Sequence, residues 1–230
     1  MEELIKLSPK SKITVLVCTF NEEKNLPHVL PKIPKWVDEI LLIDGHSEDK
    51  TTTIARELLP NIRIEYQPNK GKDDALKYGV SLARGDIVVT LDADGNTNPE
   101  EIPIFIETLL KGYDFVKGSR FLETKPLQMP GHRRFGNWVL CTELNLLFGA
   151  RFTDVCSGYN SFWKKSWEKI QFPEEFGYEP LILIRAKKAG LKIAEVSSID
   201  TGRISGESKL PSLRQGWGGF KAILKERFRG

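Results

Sequence analysis

The chain reads as an α/β domain with a mostly parallel central sheet flanked by helices. Three observations carry that reading. Short β-branched runs alternate with segments whose apolar residues recur at helical spacing. The strand-like runs are nearly all apolar, as strands buried on both faces are. Polar residues gather just after those runs, at the strand ends where open α/β sheets bind ligands.

Taken in order, Ile13 to Thr19 is the first strand, and Leu26, Val29 and Leu30 follow at helical steps. Glu39 to Asp44 is the second strand, succeeded by Gly45-His46-Ser47-Glu48-Asp49 and a helix through Ile54, Ala55 and Leu58. Asn61 to Tyr66 alternates like a third strand, and Gly71-Lys72 leads into a helix carrying Ala75, Leu76, Val80 and Ala83. Asp86 to Leu91 is the fourth strand and runs into Asp92-Ala93-Asp94. Pro99 opens the next helix, since its missing N–H is no loss in a first turn. Phe115 to Phe121 is a further strand, and Pro126, Pro130 and Gly131 break the loop from Glu123 to Gly131. Helices are expected over Arg133 to Phe148 and Pro180 to Ala189, with a short strand over Lys192 to Val196. Residues 1–210 are expected to form one domain, 1–95 its nucleotide-binding half and 96–210 its acceptor half, with a basic amphipathic helix over 211–230.

Composition narrows the class. With 34 Lys and Arg against 31 Asp and Glu, the net charge of +3 gives no reason to expect nucleic acid as a partner. Cys18, Cys141 and Cys156 are scattered, so neither a zinc site nor a disulfide framework is expected, and a cytoplasmic protein fits. The start Met1-Glu2-Glu3 is acidic, without the apolar stretch of a signal peptide, and no run is long enough to cross a bilayer. No G-x-G-x-x-G follows the first strand and no P-loop is present, which removes the dinucleotide and P-loop readings.

Parallel strands share a direction, so Thr19 to Glu23, Asp44, Lys70-Gly71-Lys72 and Asp92-Ala93-Asp94 converge on one rim. Carboxylates there accept from base and ribose donors, Asp92 and Asp94 offer hard oxygens to Mg²⁺ or Mn²⁺, and lysine offsets phosphate charge. Eight motifs accompany that rim. They are V-C-T-F-N-E-E (Val17–Glu23), D-E-I-L-L-I-D-G-H-S-E-D (Asp38–Asp49), N-K-G-K-D-D-A-L (Asn69–Leu76) and G-D-I-V-V-T-L-D-A-D-G (Gly85–Gly95), then G-S-R-F (Gly118–Phe121), R-R-F-G-N (Arg133–Asn137), T-D-V-C-S-G-Y (Thr153–Tyr159) and G-E-S-K-L (Gly206–Leu210). Together they resemble the inverting GT-A glycosyltransferases of the family 2 type, above all the polyprenyl-phosphate sugar synthases such as dolichyl-phosphate mannose synthase.

The resemblance implies a GT-A fold and a metal-dependent inverting hexosyl transfer from a nucleotide-diphosphate sugar of the GDP-mannose or UDP-glucose type. It implies that Thr19, Asn21, Glu23 and Asp44 line the base and ribose pocket and that Lys72 and Asp92 hold the nucleotide. Asp94, with Asp92, would hold the metal. Ser119, Arg120, Arg133 or Arg134, Asp154 and Ser157 would receive the acceptor, and Arg203, Ser208 and Lys209 would close over the diphosphate on a mobile Gly202–Leu210 loop. Cys18, Gly45 and Asp73 depart from the family pattern and leave the choice of GDP or UDP open.

The acceptor decides whether a base is needed. A phosphate monoester is already nucleophilic at neutral pH, and guanidinium groups grip it bidentately. A polyprenyl or dolichyl phosphate is therefore the expected acceptor, met by peripheral contact at the inner face of the cell membrane. A sugar hydroxyl is the alternative, with Asp154 as its base. A non-catalytic sugar-nucleotide or polyisoprenoid-binding protein is the alternative outside the enzymes. Plainer readings sit beside these: Asn21 as a helix cap, Lys72 and Arg133-Arg134 as solvated cations, His46 as a turn residue, Cys156, Trp138 and Phe148 as packing groups. The tail, with Trp217, Phe220, Leu224 and Phe228 among Arg214, Lys221, Lys225 and Arg229, either lies on a membrane or docks on the domain.

Overall fold

The computed structural model describes residues 11–123, 126, 129–170, 172, 179–206 and 212–229, the side chains of 212–215 excepted. Its strands are β1 (Ile13–Thr19), β2 (Glu39–Asp44), β3 (Arg63–Tyr66), β4 (Ile87–Asp92), β5 (Phe115–Ser119), β6 (Asn160–Trp163) and β7 (Ile193–Ser197). Its helices are α1 (Leu26–Val29), α2 (Thr51–Leu58), α3 (Lys72–Leu82), α4 (Ile102–Leu110), α5 (Gly131–Phe148), α6 (Lys164–Trp167), α7 (Glu179–Lys188) and α8 (Ser212–Arg227). The seven strands form one sheet in the order β3-β2-β1-β4-β6-β5-β7. β1 runs parallel to β2 and β4, β2 to β3, and β5 to β7. β6 alone is reversed, antiparallel to both β4 and β5.

Strand β6 was not visible in the sequence, because Asn160-Ser161-Phe162-Trp163 is short and half polar. Its reversal has a structural consequence. The C-terminal ends of the other six strands meet the N-terminal end of β6, so the Thr153–Tyr159 segment enters the sheet at the same rim as Asp92. The expected strand over 115–121 stops at Ser119, and Arg120 turns out of it. The third strand starts at Arg63 instead of Asn61.

Each sheet face has its own core. One holds Leu16, Leu41, Ile43, Val88, Phe115 and Phe162 under α3, α5, α7 and α8. The other holds Val15, Val17, Leu42, Val89 and Val116 under α1, α2 and α4. Helix α3 sits close because of Gly79, where a Cβ would come within 2.4 Å of Leu16 Cδ1 and 2.9 Å of Ile43 Cγ1. Asp73 and Asp74 occupy its first turn, where carboxylates favour the helix dipole. Helix α5 ends at Gly149, which takes φ +60°, a left-handed cap that costs glycine nothing.

The tail helix α8 docks on α5 and α7. Ile223 is fully buried, and Glu226 accepts from Arg185 Nη2 at 2.7 Å and Lys188 Nζ at 3.0 Å, both on α7. Removing a buried member of a charge cluster leaves its partners without compensation. Glu226→Ala is therefore expected to lower the unfolding free energy by roughly 2 kcal/mol. Urea denaturation followed by circular dichroism measures the change, and an unchanged midpoint would mean the cluster contributes nothing.

Candidate active site

At the end of β4, Asp92 and Asp94 face the rim with one residue between them, and cationic side chains from remote segments meet both. Lys72, in the first turn of α3, places Nζ 2.7 Å from Asp92 Oδ1 and 3.1 Å from Glu179 Oε1 at the start of α7. Burial opposes the charge on Lys72, but Asp92 and Glu179 outweigh it and raise its pKa well above the usual value. Arg203, beyond β7, reaches Asp94 Oδ2 with Nη1 at 3.4 Å and Glu22 Oε1 with Nη2 at 2.6 Å. Burial, then the neighbouring Asp92, pushes the Asp94 carboxyl up to about 6, against the pull of the Asn96 amide, Arg203 and Lys72.

The segment that carries Arg203 lies across the turn after β4. Thr201 Oγ1 donates to the Gly95 carbonyl at 2.7 Å, Ile204 N to the Asp94 carbonyl at 3.3 Å, and Asn25 Nδ2 to the Ser205 carbonyl at 3.2 Å. Gly95, at φ +81°, leaves room for Ile204, whose Cδ1 would otherwise meet a Cβ at 2.4 Å. Within the Gly202–Leu210 loop expected to be mobile, residues 204 and 205 are thus hydrogen-bonded to Asp94 and Asn25 in this structure. Ser208 and Lys209 lie outside the described residues.

On the nucleotide side, Thr19 ends β1 with its Oγ1 buried and lacking a hydrogen-bond partner. Asn21 is not a helix cap. It takes φ +56°, accepts from Glu48 N through Oδ1 at 2.8 Å, and its own N–H donates to Ser47 Oγ. Glu23 Oε2 accepts from Lys50 N at 3.0 Å. These side chains knit the loops after β1 and β2 together. Asp44 is fully buried and folded into its own turn, accepting from Ser47 N at 2.8 Å and Ser47 Oγ at 2.6 Å. His46 is a turn residue, at φ +63° with Nε2 2.9 Å from the Gln67 carbonyl.

Across the rim, Arg120 grips Asp154 in two places, Nε to Oδ2 at 2.6 Å and Nη2 to Oδ1 at 3.0 Å. Asp154 also accepts from the amides of Arg120 and Cys156 and is fully buried. Burial alone would raise its pKa, but Arg120 and then Lys117 hold it below the usual carboxylate value. The Asp154 carboxylate, expected as the base for a hydroxyl acceptor, is in this geometry enclosed and engaged, and it holds the Arg120 guanidinium in place. Ser119 Oγ lies 2.6 Å from Thr153 Oγ1, and Ser157 Oγ accepts from Tyr159 N, so both are buried loop supports. Arg134 donates to the Met129 and Pro126 carbonyls and braces the preceding loop, while Arg133 occupies the first turn of α5. Trp138, read as core, is exposed, as is Cys156; Phe148 packs against the core.

Four site groups escaped the sequence reading. Glu22 was passed over for Glu23, although alternation out of a strand separates the two. Glu179 lies just before the helix expected from Pro180 and was not singled out. Lys117 is a fully buried lysine on β5 that donates to the Ser157 carbonyl, its pKa lowered by burial. Gly158 allows the acceptor-side backbone to press against the ion pair: a Cβ there would lie 2.4 Å from Lys72 Nζ and 2.7 Å from Asp92 Oδ2. A concavity of about 650 Å³ opens at the opposite end of the sheet beside Arg84, Asp86 and Lys165 and contains none of these groups.

Residues 14–170 match the model of glycosyl transferase family 2. A dolichyl-phosphate hexose transferase of Haloferax volcanii is 32% identical over 217 residues, covering 93% of this chain and 92% of that one. An undecaprenyl-phosphate mannosyltransferase of Micrococcus luteus is 27% identical over 215 residues, covering 86% of this chain and 87% of that one. Among solved structures, glucosyl-3-phosphoglycerate synthase from Mycobacterium tuberculosis, crystallised with Mn²⁺, UDP and glucosyl-3-phosphoglycerate, superposes with a TM-score of 0.76 at 23% identity. The alignment covers 98% of this chain and 83% of that one, and it establishes the GT-A architecture.

Gly158→Ala is expected to push Lys72 off Asp92 while sparing the core. Sugar transfer should fall at least tenfold, with the unfolding free energy within about 1 kcal/mol of the parent. Steady-state kinetics and urea titration of the same preparation measure both; undiminished transfer would show that the contact does not matter to the site.

Proposed function

The chain belongs to glycosyl transferase family 2 and is a glycosyltransferase; from that premise we propose that it moves a hexose, with inversion, from a nucleotide-diphosphate sugar to a polyprenyl or dolichyl phosphate. The donor is of the GDP-mannose or UDP-glucose type. The observation that carries the choice of acceptor is the state of Asp154. A hydroxyl nucleophile needs a base within hydrogen-bond reach. The carboxylate suited to that role is enclosed and spent on Arg120. A phosphate monoester, already ionised, needs none. The names of the two relatives, which act on dolichyl and undecaprenyl phosphates, point the same way.

In this reading a phosphate oxygen of the acceptor attacks the anomeric carbon as the bond to the nucleoside diphosphate breaks. No proton has to move. Arg120, fixed by Asp154, orients the attacking phosphate, and Ser119, Lys117 and Ser157 support that loop. Arg133 and Arg134 stand at the acceptor entrance. Thr19, with its unpartnered hydroxyl, and the loops braced by Asn21, Glu23 and Asp44 receive the nucleoside. Lys72 and Arg203 meet the charge that builds on the leaving diphosphate, joined by Ser208 and Lys209.

The rim suits a divalent cation. Its two carboxylates already draw cationic side chains from opposite directions, and hard oxygen donors are what Mg²⁺ and Mn²⁺ select. Asp94, with Asp92, would hold that ion, which when bound neutralises the departing diphosphate. Arg203, which here pairs with Asp94, would meet phosphate oxygens of the diphosphate.

The test is a panel of labelled sugar nucleotides offered with Mn²⁺ and detergent-solubilised polyprenyl phosphate, followed by organic extraction. Label should enter the organic phase from one donor, and a water-soluble product alone would overturn the lipid acceptor. Asp94→Ala is expected to abolish transfer and Mn²⁺ binding together. Arg120→Lys, which keeps the charge but loses the two-point grip, should raise the KM for the phosphate acceptor about 10- to 100-fold and leave donor affinity unchanged. An equal effect on donor affinity would remove Arg120 from the acceptor side.

A further inference from the structure

Helix α8 carries an apolar arc wider than the part the domain covers. Ile223 and Phe220 face the domain core. Beside them on the helix surface, Trp217, which stacks on Phe220 with ring centroids 5.6 Å apart, Leu224 and Phe228 continue outward as a stripe, 60%, 42% and 81% exposed. A helix that only docked would carry polar residues there. Helix α5 repeats the pattern. Leu140 and Leu144 point inward, while Phe135, Trp138 and Leu146 are 63%, 62% and 79% exposed. The two helices pack against each other. Phe135 and Trp138 stack with ring centroids 5.8 Å apart. Exposed apolar surface gathered in this way marks a contact.

The charge around the stripes has one sign. Within 129–149 and 216–229 the only acids are Glu143 and Glu226. Both carboxyl oxygens of Glu143 are buried, and Glu226 is 2% exposed and held by α7. The exposed charges are Arg134, Lys221, Lys225, Arg227 and Arg229. Lys221 Nζ lies 5.1 Å over the Trp217 ring. A second copy of this chain would set cation against cation. An anionic headgroup layer complements the charges and accepts indole rings at its interface. No helix among the described residues is long and apolar enough to cross a bilayer, so this contact is made from the surface.

We propose that α5 and α8 together form the face by which the protein settles on an anionic phospholipid bilayer. The first turn of α5 carries Arg133, so the face adjoins the acceptor entrance, and a lipid-linked phosphate would be met at the level of the headgroups. Its purpose rests on the lipid-acceptor reading; its test does not.

The full-length protein is mixed with phosphatidylglycerol–phosphatidylcholine vesicles that contain no polyprenyl phosphate, and with pure phosphatidylcholine vesicles. It should sediment with the former, less so as salt rises, and brominated lipid should quench its tryptophan fluorescence. Trp217→Ser with Phe228→Ser, and separately Lys221→Glu with Lys225→Glu, should each weaken partition about tenfold or more. Both variants should keep the parent circular dichroism and the parent transfer rate to detergent-solubilised acceptor. Absence of sedimentation, parent-like partition by both variants, or a dimer in which the exposed tryptophans become protected would overturn the proposal. Vesicle binding without any lipid product would sink the acceptor reading and leave the docking face standing; lipid product without vesicle binding would do the reverse.

Discussion

Two half-buried carboxylates at the end of one strand set the electrostatic terms for the rest of this molecule. Burial, and then the neighbouring Asp92, raises the Asp94 carboxyl above its usual value. The chain answers by delivering a cation to each from opposite directions, Lys72 from the helix after β3 and Arg203 from the segment after β7. Glu179 and Glu22 then anchor those cations from behind. The site is thus a small alternating lattice of charge, and its members are contributed by both ends of the chain. A ligand that carries its own positive and negative groups can replace its members one for one.

That lattice closes only because one strand is turned around. With β6 reversed, the backbone at Ser157-Gly158 arrives at the rim from the acceptor side and passes against the Lys72–Asp92 pair. Gly158 is small because no side chain fits between the two halves. The Arg120–Asp154 clamp sits on the same segment and is held from three directions: Glu195 on β7 bonds the amides of Thr153 and Asp154, Asn137 on α5 bonds Thr153 and Val155, and Ser119 on β5 bonds Thr153. The Arg120–Asp154 clamp is therefore mounted on the framework instead of on a loose loop.

Much of this was legible in the sequence, for a physical reason. The buried parallel strands had to be apolar throughout, so Ile13–Thr19, Glu39–Asp44 and Ile87–Asp92 stood out, and their polar exits followed. Where side chains report on neighbours distant in the chain, the sequence was silent. Nothing local marks Asn160–Trp163 as a strand, because its environment is two other strands. Nothing local marks Asp154 as enclosed, because Arg120, which encloses it, is 34 positions away. Arg134, expected at the acceptor, also braces the preceding loop, through carbonyls five and eight residues back that no local pattern announces. Trp138 looked like packing and faces outward, because a helical period identifies which residues share a face but not which face is covered.

The last helix shows how a single acid can resolve an ambiguity that apolar residues create. With a greasy arc wider than the domain covers, α8 has more than one plausible roll against the domain, and area alone separates them poorly. Only one of these orientations carries Glu226 to the paired cations of α7. Rolled over, the helix would bury Lys221 and strand a carboxylate in the open. Ion pairing thus works here as a key that fixes the roll of the helix, and with it the direction in which the tryptophans look.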